Sequence, residues 1–196
     1  MQITEKMLRL MMPGAATNIL RNPNTCKCNA AFFVQILNQN AEKFGCNTPL
    51  RMAHFLAQIA HESACLRFTE ELASGRAYEG RKDLGNTNPG DGVRYKGRGY
   101  IQITGRYNYA AYRKFRQEQG ADVDCINHPV LLAGMVEGIC SALWFCQTHG
   151  VWEYADTDNI LRASIAINGK NKKTGLPNHW EERRTWLKKA KAALGI

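Results

Sequence analysis

Apolar residues recur at helical spacing over most of the chain and lose that rhythm in one long interval. Residues 4–12 read as a short helix, with the Thr4 hydroxyl as N-cap and Pro13-Gly14 as its stop. Residues 15–28, rich in Asn, Thr and Pro, read as a loop. Over 30–44, Phe33, Val34, Leu37 and Ala41 share one stripe, which predicts an amphipathic helix ended by Gly45. The next helix opens at Thr48-Pro49, a hydroxyl cap with proline in the first turn. Its apolar positions Met52, Phe55, Leu56, Ile59 and Ala60 carry His61 and Glu62 to its C-terminal end.

Residues 73–99 break the pattern. Gly75, Gly80, Gly85, Gly90, Gly92, Gly97 and Gly99 punctuate a polar stretch, and Asn88-Pro-Gly-Asp-Gly92 is a turn signal. Tyr100-Ile-Gln-Ile-Thr104 alternates and predicts a short strand. Helical spacing returns over 108–119, 129–148 and 158–167, and a basic helix over 180–194 stops at Gly195. No repeat or linker interrupts the chain. A mainly α fold is therefore expected, one domain over residues 1–196, with a small β or looped lobe and a cleft between the lobes.

Composition narrows the setting. At 196 residues and 44% hydrophobic, the chain can bury a core as one domain. No apolar run approaches the roughly 20 residues that span a bilayer. The stretch Met7-Leu-Arg-Leu-Met-Met12 is broken by Arg9 and closed by Pro13-Gly14, so no signal peptide is expected and synthesis is expected in the cytoplasm. The net charge of +9 predicts attraction to an anionic polymer or surface; nucleic acid, lipopolysaccharide and bacterial wall all qualify. Cys26, Cys28, Cys46, Cys65, Cys125, Cys140 and Cys146 form an odd set, expected as mostly reduced, buried thiols. Cys26-x-Cys28 has the wrong spacing for a zinc knuckle, so no metal is expected there.

Glycosidic cleavage needs a carboxylic acid to protonate the leaving oxygen and usually a second carboxylate across the sugar. A glutamate ending an apolar helix suits the first role, since partial burial favours its protonated form. Glu62 is such a residue. His61-Glu-Ser-Ala-Cys65 lacks the second histidine of a zinc-protease HExxH motif, which removes that alternative. Candidates for the second carboxylate are Glu70, Glu71 and Glu79. On one continuous helix, Glu71 would face about 180° away from Glu62. The two converge only if the helix ends soon after Glu62 and the chain turns back.

Three blocks, Ala60-His-Glu-Ser63, Tyr95-Lys-Gly-Arg-Gly-Tyr-Ile-Gln-Ile-Thr-Gly-Arg-Tyr-Asn108 and Ala166-Ile-Asn-Gly169, resemble in order the signature blocks of glycoside hydrolase family 19. That family contains chitinases and phage-type endolysins. The opening Met-Gln-Ile-Thr-Glu and the run from Asn47 to Gln58 resemble the endolysin branch in particular. The resemblance implies a lysozyme-like helical domain and an inverting mechanism. It assigns Glu62 as general acid and Glu71 as the second catalytic glutamate. The usual Glu-Asn-Leu block reads Glu71-Leu-Ala here, which keeps Glu79 open as the base. Thr104 matches the residue that positions the attacking water, and Gln102 one that contacts sugar. Tyr107 and Asn108 resemble the aromatic-amide pair lining the cleft, and Asn168 the asparagine of the Asn-Gly block. Arg183 matches an arginine supporting the carboxylates, with Arg184 as its rival.

An inverting pair should stand about 6.5–9.5 Å apart to admit the water. No metal or organic cofactor is expected. The expected substrate is the glycan strand of peptidoglycan, with N-acetylglucosamine polymer as the alternative. On this expectation the enzyme is a monomer that reaches the wall, in the periplasm, after another factor releases it. The basic 180–194 helix packs on the domain and can engage anionic wall polymer or outer-membrane lipid. A charge-driven nucleic-acid or glycan binder would be indifferent to Glu62; intact Glu62, Gln102 and Thr104 argue against it, and no nucleic acid is expected.

Overall fold

The computed structural model describes residues 2–25 and 27–196; Cys26, half of the Cys26-x-Cys28 pair, lies outside them. The fold is built around α4 (Pro49–Glu62). Thr48 caps it by accepting from the Arg51 amide, and Pro49 occupies its first turn, where no amide hydrogen is needed. Every residue from Met52 to Ala60 is buried, His54 and Gln58 included. A helix buried all round must be wrapped by others. The longest partner is α10 (Trp180–Leu194), which lies along it, while α8 (Val151–Asp156), α7 (Met135–Thr148) and α9 (Ile160–Asn168) close the other sides.

α1 (Glu5–Met11) begins where the Thr4 hydroxyl accepts from the Met7 amide, and it packs against α10 and α3 (Ala30–Asn40). Leu187, Ala190 and Leu194 turn the apolar side of α10 inward. Its basic side is partly spent within the protein: Arg184 pairs with Glu181, Lys189 lies 4.5 Å over the Trp186 ring, and Lys191 pairs with Asp158. Asp158 also accepts from buried His54 at 3.0 Å, tying α4, α10 and the turn before α9 together.

Several expectations need correction. Residues 15–28 are not all loop: α2 spans Ala15–Arg21, burying Ala15 and Ile19. Seven residues show too little of a stripe to reveal a period. The 30–44 helix loosens into a 3-10 turn at Glu42–Phe44 before left-handed Gly45. The expected 129–148 helix is a 3-10 turn, Pro129–Ala133, followed by α7 after a break at Gly134. α8 carried no expectation, because Gly150 and Asp158 leave it only six residues.

The 100–104 segment is not a strand. Tyr100, Ile101 and Ile103 are all buried, so the alternation does not separate two faces, and Gln102 turns left-handed at φ 59°. Only isolated bridges, Glu70 to Arg98 and Arg98 to Ile103, remain among the described residues. The lobe from 70 to 105 is thus looped, with 3-10 turns at Arg76–Tyr78 and Lys82–Leu84 and the short α5 (Asp91–Arg94). It is anchored by Tyr100, whose ring meets Phe33 of α3 edge-on at 5.4 Å, and by buried Tyr95 against Tyr109 of α6 (Arg106–Glu118).

Cys46, Cys125, Cys140 and Cys146 are buried and free, and Cys28 and Cys65 are free and half-buried. Burial pushes the Cys46, Cys125 and Cys140 thiols up to about 12, so they remain protonated and unreactive. Among the described residues no helix is long and apolar enough to cross a membrane, and no cluster of His, Cys, Asp or Glu is arranged to hold a metal ion.

Candidate active site

Glu62 is the last residue of α4, and the chain reverses directly after it. Ala64, Cys65 and Leu66 adopt φ of 49°, 57° and 68°, three non-glycine residues in the left-handed region. That conformation costs roughly 1–2 kcal/mol per residue, so the surroundings must impose it. They do so with a dense set of hydrogen bonds. The Cys65 amide donates to Ala60 O at 2.7 Å and the Phe68 amide to Ser63 O at 2.9 Å. Buried Ser63 Oγ accepts from the Leu66 amide, and Asn18 of α2 donates to Cys65 O at 2.9 Å. Asn22 and Asn24, just after α2, bond Thr69 from the other side. The turn therefore brings Glu70 and Glu71 back beside the looped lobe.

Glu62 keeps 15% of its side chain exposed and meets fully buried Arg183 at 2.5 Å. Arg183 also donates from Nε to Asn178 O at 3.0 Å and from its third nitrogen to Gln58 Oε1 at 2.5 Å. Arg184 points the other way, to Glu181, and is exposed. Adjacent helical residues stand about 100° apart, so only one of them can face α4. Asn168 is exposed at the end of α9 and accepts from the Asn178 amide at 3.2 Å, so it steadies the loop whose carbonyl holds Arg183. Beside Glu62, half-buried His61 sits 3.1 Å from Glu182 and 5.2 Å, ring to ring, from His179. Burial, reinforced by the Arg183 charge, holds His61 below the usual histidine range, and the ring is neutral at pH 7.

A second cluster forms in the looped lobe. Glu71 Oε1 accepts from the Tyr78 hydroxyl at 3.0 Å and Oε2 from the Gly97 amide at 3.1 Å, while its backbone pairs with Gly97 O. Burial, then the Glu71 contact, raises the Tyr78 hydroxyl above its ordinary range, so it stays a donor. Gly97 is where the predicted residues converge. A Cβ there would stand 2.9 Å from Gln102 Oε1, 3.3 Å from Glu71 Oε2 and 3.3 Å from Thr104 Oγ1. Glu71, Gln102 and Thr104 thus surround one small space. Thr104 donates to Gln102 O, and Asn108 donates to Thr104 O at 2.8 Å, which braces the same loop. Tyr107 is 62% exposed, with its ring against Gly85, where any larger residue would collide. A groove of about 280 Å³ runs beside this cluster, lined by Asn24, Phe68, Glu70, Glu71, Leu72 and Lys96 among others.

The other two carboxylate candidates are engaged elsewhere. Glu70 accepts from Arg98 at 2.9 Å and faces Lys96 at 3.4 Å. Glu79 accepts from the backbone amides of Gly90 and Gly92 with both oxygens, staple-fashion at the start of α5. Gln58, Ser164, Asn178, Tyr78 and Asn18 were not expected as parts of the site. Gln58 did carry a signal, since it lies four residues before Glu62 and shares its helix face.

No family model matches the chain. A glycosyl hydrolase family 19 domain-containing protein of Haemophilus influenzae is 31% identical over 167 residues, which cover 69% of this chain and 78% of that protein. An endochitinase of Arabidopsis thaliana is 45% identical over 64 residues, 33% of this chain but only 22% of its own length. Among solved structures, a class IV family 19 chitinase from Zea mays superposes with a TM-score of 0.72 at 18% identity, over 99% of this chain and 93% of that one. A bacterial family 19 chitinase gives 0.70 at 22% identity, over 99% and 95%. These two likenesses establish a shared fold, mainly helical and lysozyme-like.

Proposed function

Since the chain belongs to glycoside hydrolase family 19, and is a glycoside hydrolase of lysozyme-like fold, we propose that it cleaves the β-1,4 glycan strands of bacterial peptidoglycan as an endolysin-type muramidase. The observation that carries the chemistry is the pair of separately held carboxylates. Glu62 is gripped by Arg183, while Glu71 is set against Gly97 beside Thr104 and Gln102. In an inverting cycle Glu62 protonates the leaving glycosidic oxygen. Glu71 takes a proton from a water that the Thr104 hydroxyl orients, and that water attacks the anomeric carbon from the opposite face. Gln102 and Tyr107 contact the sugars.

The choice of peptidoglycan rests on the net charge of +9, which suits an acidic wall polymer better than neutral chitin. Lys188 of α10 makes no ion pair among the described residues and adds to a basic face that suits anionic wall or outer-membrane surfaces. The enzyme works on the wall after release from the cytoplasm by another factor. Chitin is the second reading, favoured by the endochitinase and chitinase names of the relatives.

Digestion of purified peptidoglycan, followed by reduction and mass spectrometry of the products, separates the readings. Reduced N-acetylmuramic acid ends are expected. Reduced N-acetylglucosamine ends would mean a glucosaminidase, and cleavage of chitin oligomers alone would establish the second reading.

The base is tested by a paired substitution. Glu71→Gln is expected to lower kcat about 10²-fold or more, the scale of a general base. Glu79→Gln, a change at an exposed loop staple, is expected to change the rate about twofold or less. The reverse order of the two rates would move the base to Glu79.

A further inference from the structure

Gln58 is fully buried on α4, one turn before Glu62, and joins three helices. Its Oε1 accepts from Arg183 of α10 at 2.5 Å, and its Nε2 donates to buried Ser164 Oγ of α9 at 3.0 Å. A guanidinium only donates, so Arg183 requires the oxygen side of the amide, and Ser164 secures that orientation from the nitrogen side.

We propose that Gln58 is a positioning residue that holds Arg183 through a neutral oxygen, which leaves Glu62 as the only carboxylate the arginine grips. The inference rests on Glu62 being the proton donor. Arg183 is fully buried and cannot shed its charge, so its donors must be met and its charge balanced. Two of its three partners, Asn178 O and Gln58 Oε1, are uncharged; the third is Glu62. When Glu62 gives its proton to the glycosidic oxygen, negative charge develops on a carboxylate already facing a fixed, dry cation. Such preorganisation stabilises the transition state more than the ground state. A second carboxylate on Arg183 would neutralise that cation in advance. Glutamate has the shape of glutamine and would satisfy the same donor, so packing alone does not explain an amide at this position.

Gln58→Glu separates positioning from packing. Ser164 can rotate its hydroxyl to donate to the new carboxylate, so the fold should hold, with a melting temperature lowered by the cost of a second buried carboxylate. Rates are read on solubilised peptidoglycan or an N-acetylglucosamine hexasaccharide, whichever the wild type cleaves faster. The expected result is an unchanged KM and a kcat lower by about ten- to a hundredfold, the scale on which one nearby charge shifts a protonation equilibrium. The alkaline limb of the kcat–pH profile should also move to higher pH. A folded variant with wild-type kcat and profile would overturn the proposal and leave Gln58 as a packing residue.

If Gln58→Glu does not fold, Gln58→Asn keeps a neutral amide but is one methylene too short to hold Arg183. A severalfold loss confined to kcat is expected there, and an unaltered kcat would overturn the proposal. Glu62→Gln is measured alongside. An active Glu62→Gln enzyme would remove the functional reading itself, whereas an inactive one beside an unaltered Gln58→Glu would remove only this inference.

Discussion

Glu62→Gln should all but abolish hydrolysis, with kcat down about 10²–10⁴-fold, while the protein folds as before. The amide is isosteric with the carboxyl, and its oxygen still accepts from Arg183, so that contact survives. What disappears is the proton. An amide cannot protonate the leaving sugar oxygen, and no other carboxyl among the described residues shares the Arg183 contact. The check is a rate measurement on solubilised peptidoglycan and on chitin oligosaccharides, beside a thermal melt. A well-folded variant that cleaves either substrate at the wild-type rate would show that the proton comes from elsewhere.

The largest effect on stability is expected at Arg183. Arg183→Met fits the buried volume approximately but removes three hydrogen bonds at once and strands Glu62 and Gln58 around the vacated charge. Breaking a buried ion pair by deleting one partner costs about 3–5 kcal/mol. For a domain of this size each kcal/mol lowers the melting temperature by about 2–4 °C, so a fall of about 6–20 °C is expected. Arg184→Met is the control. That residue is exposed and paired with Glu181 on its own helix, so its loss should change stability by about 0.5 kcal/mol or less. Calorimetry on the two variants decides the matter; equal melting temperatures would mean that Arg183 contributes no more than a surface residue.

The two arginines also show where sequence reading stops. They are neighbours of identical chemistry, and their neighbourhood in the chain does not say which faces α4. The answer depends on the rotation of α10 about its axis, set by Leu187, Ala190 and Leu194 seating in the core. The carboxylates pose the same problem. Glu70, Glu71 and Glu79 were equivalent candidates by composition. The structure commits Glu70 to Arg98 and Glu79 to two backbone amides, and it sets Glu71 beside Thr104 and Gln102. The condition stated from helix geometry, that the chain must turn back after Glu62, is met by three left-handed residues. None of them is glycine, so no local signal marks the turn.

What the sequence determined by itself was local or carried by distinctive spelling. Thr48-Pro49 and the stripe from Met52 to Ala60 define α4 because capping and amphipathicity act within a few residues. The glycine-rich interval marked the looped lobe, and the ordered blocks around Glu62, Gln102, Thr104 and Asn168 pointed to the family. Tertiary structure decided the rest. α2 has little helical pattern of its own and is stabilised by burying Ala15 and Ile19, and 100–104 imitates a strand because its apolar residues are buried on every side. The Arg183–Glu62 contact joins positions 121 residues apart and Gln58–Arg183 joins positions 125 apart. Such pairings follow from how buried faces seat against one another, and the interactions that seat them act only once the chain has folded.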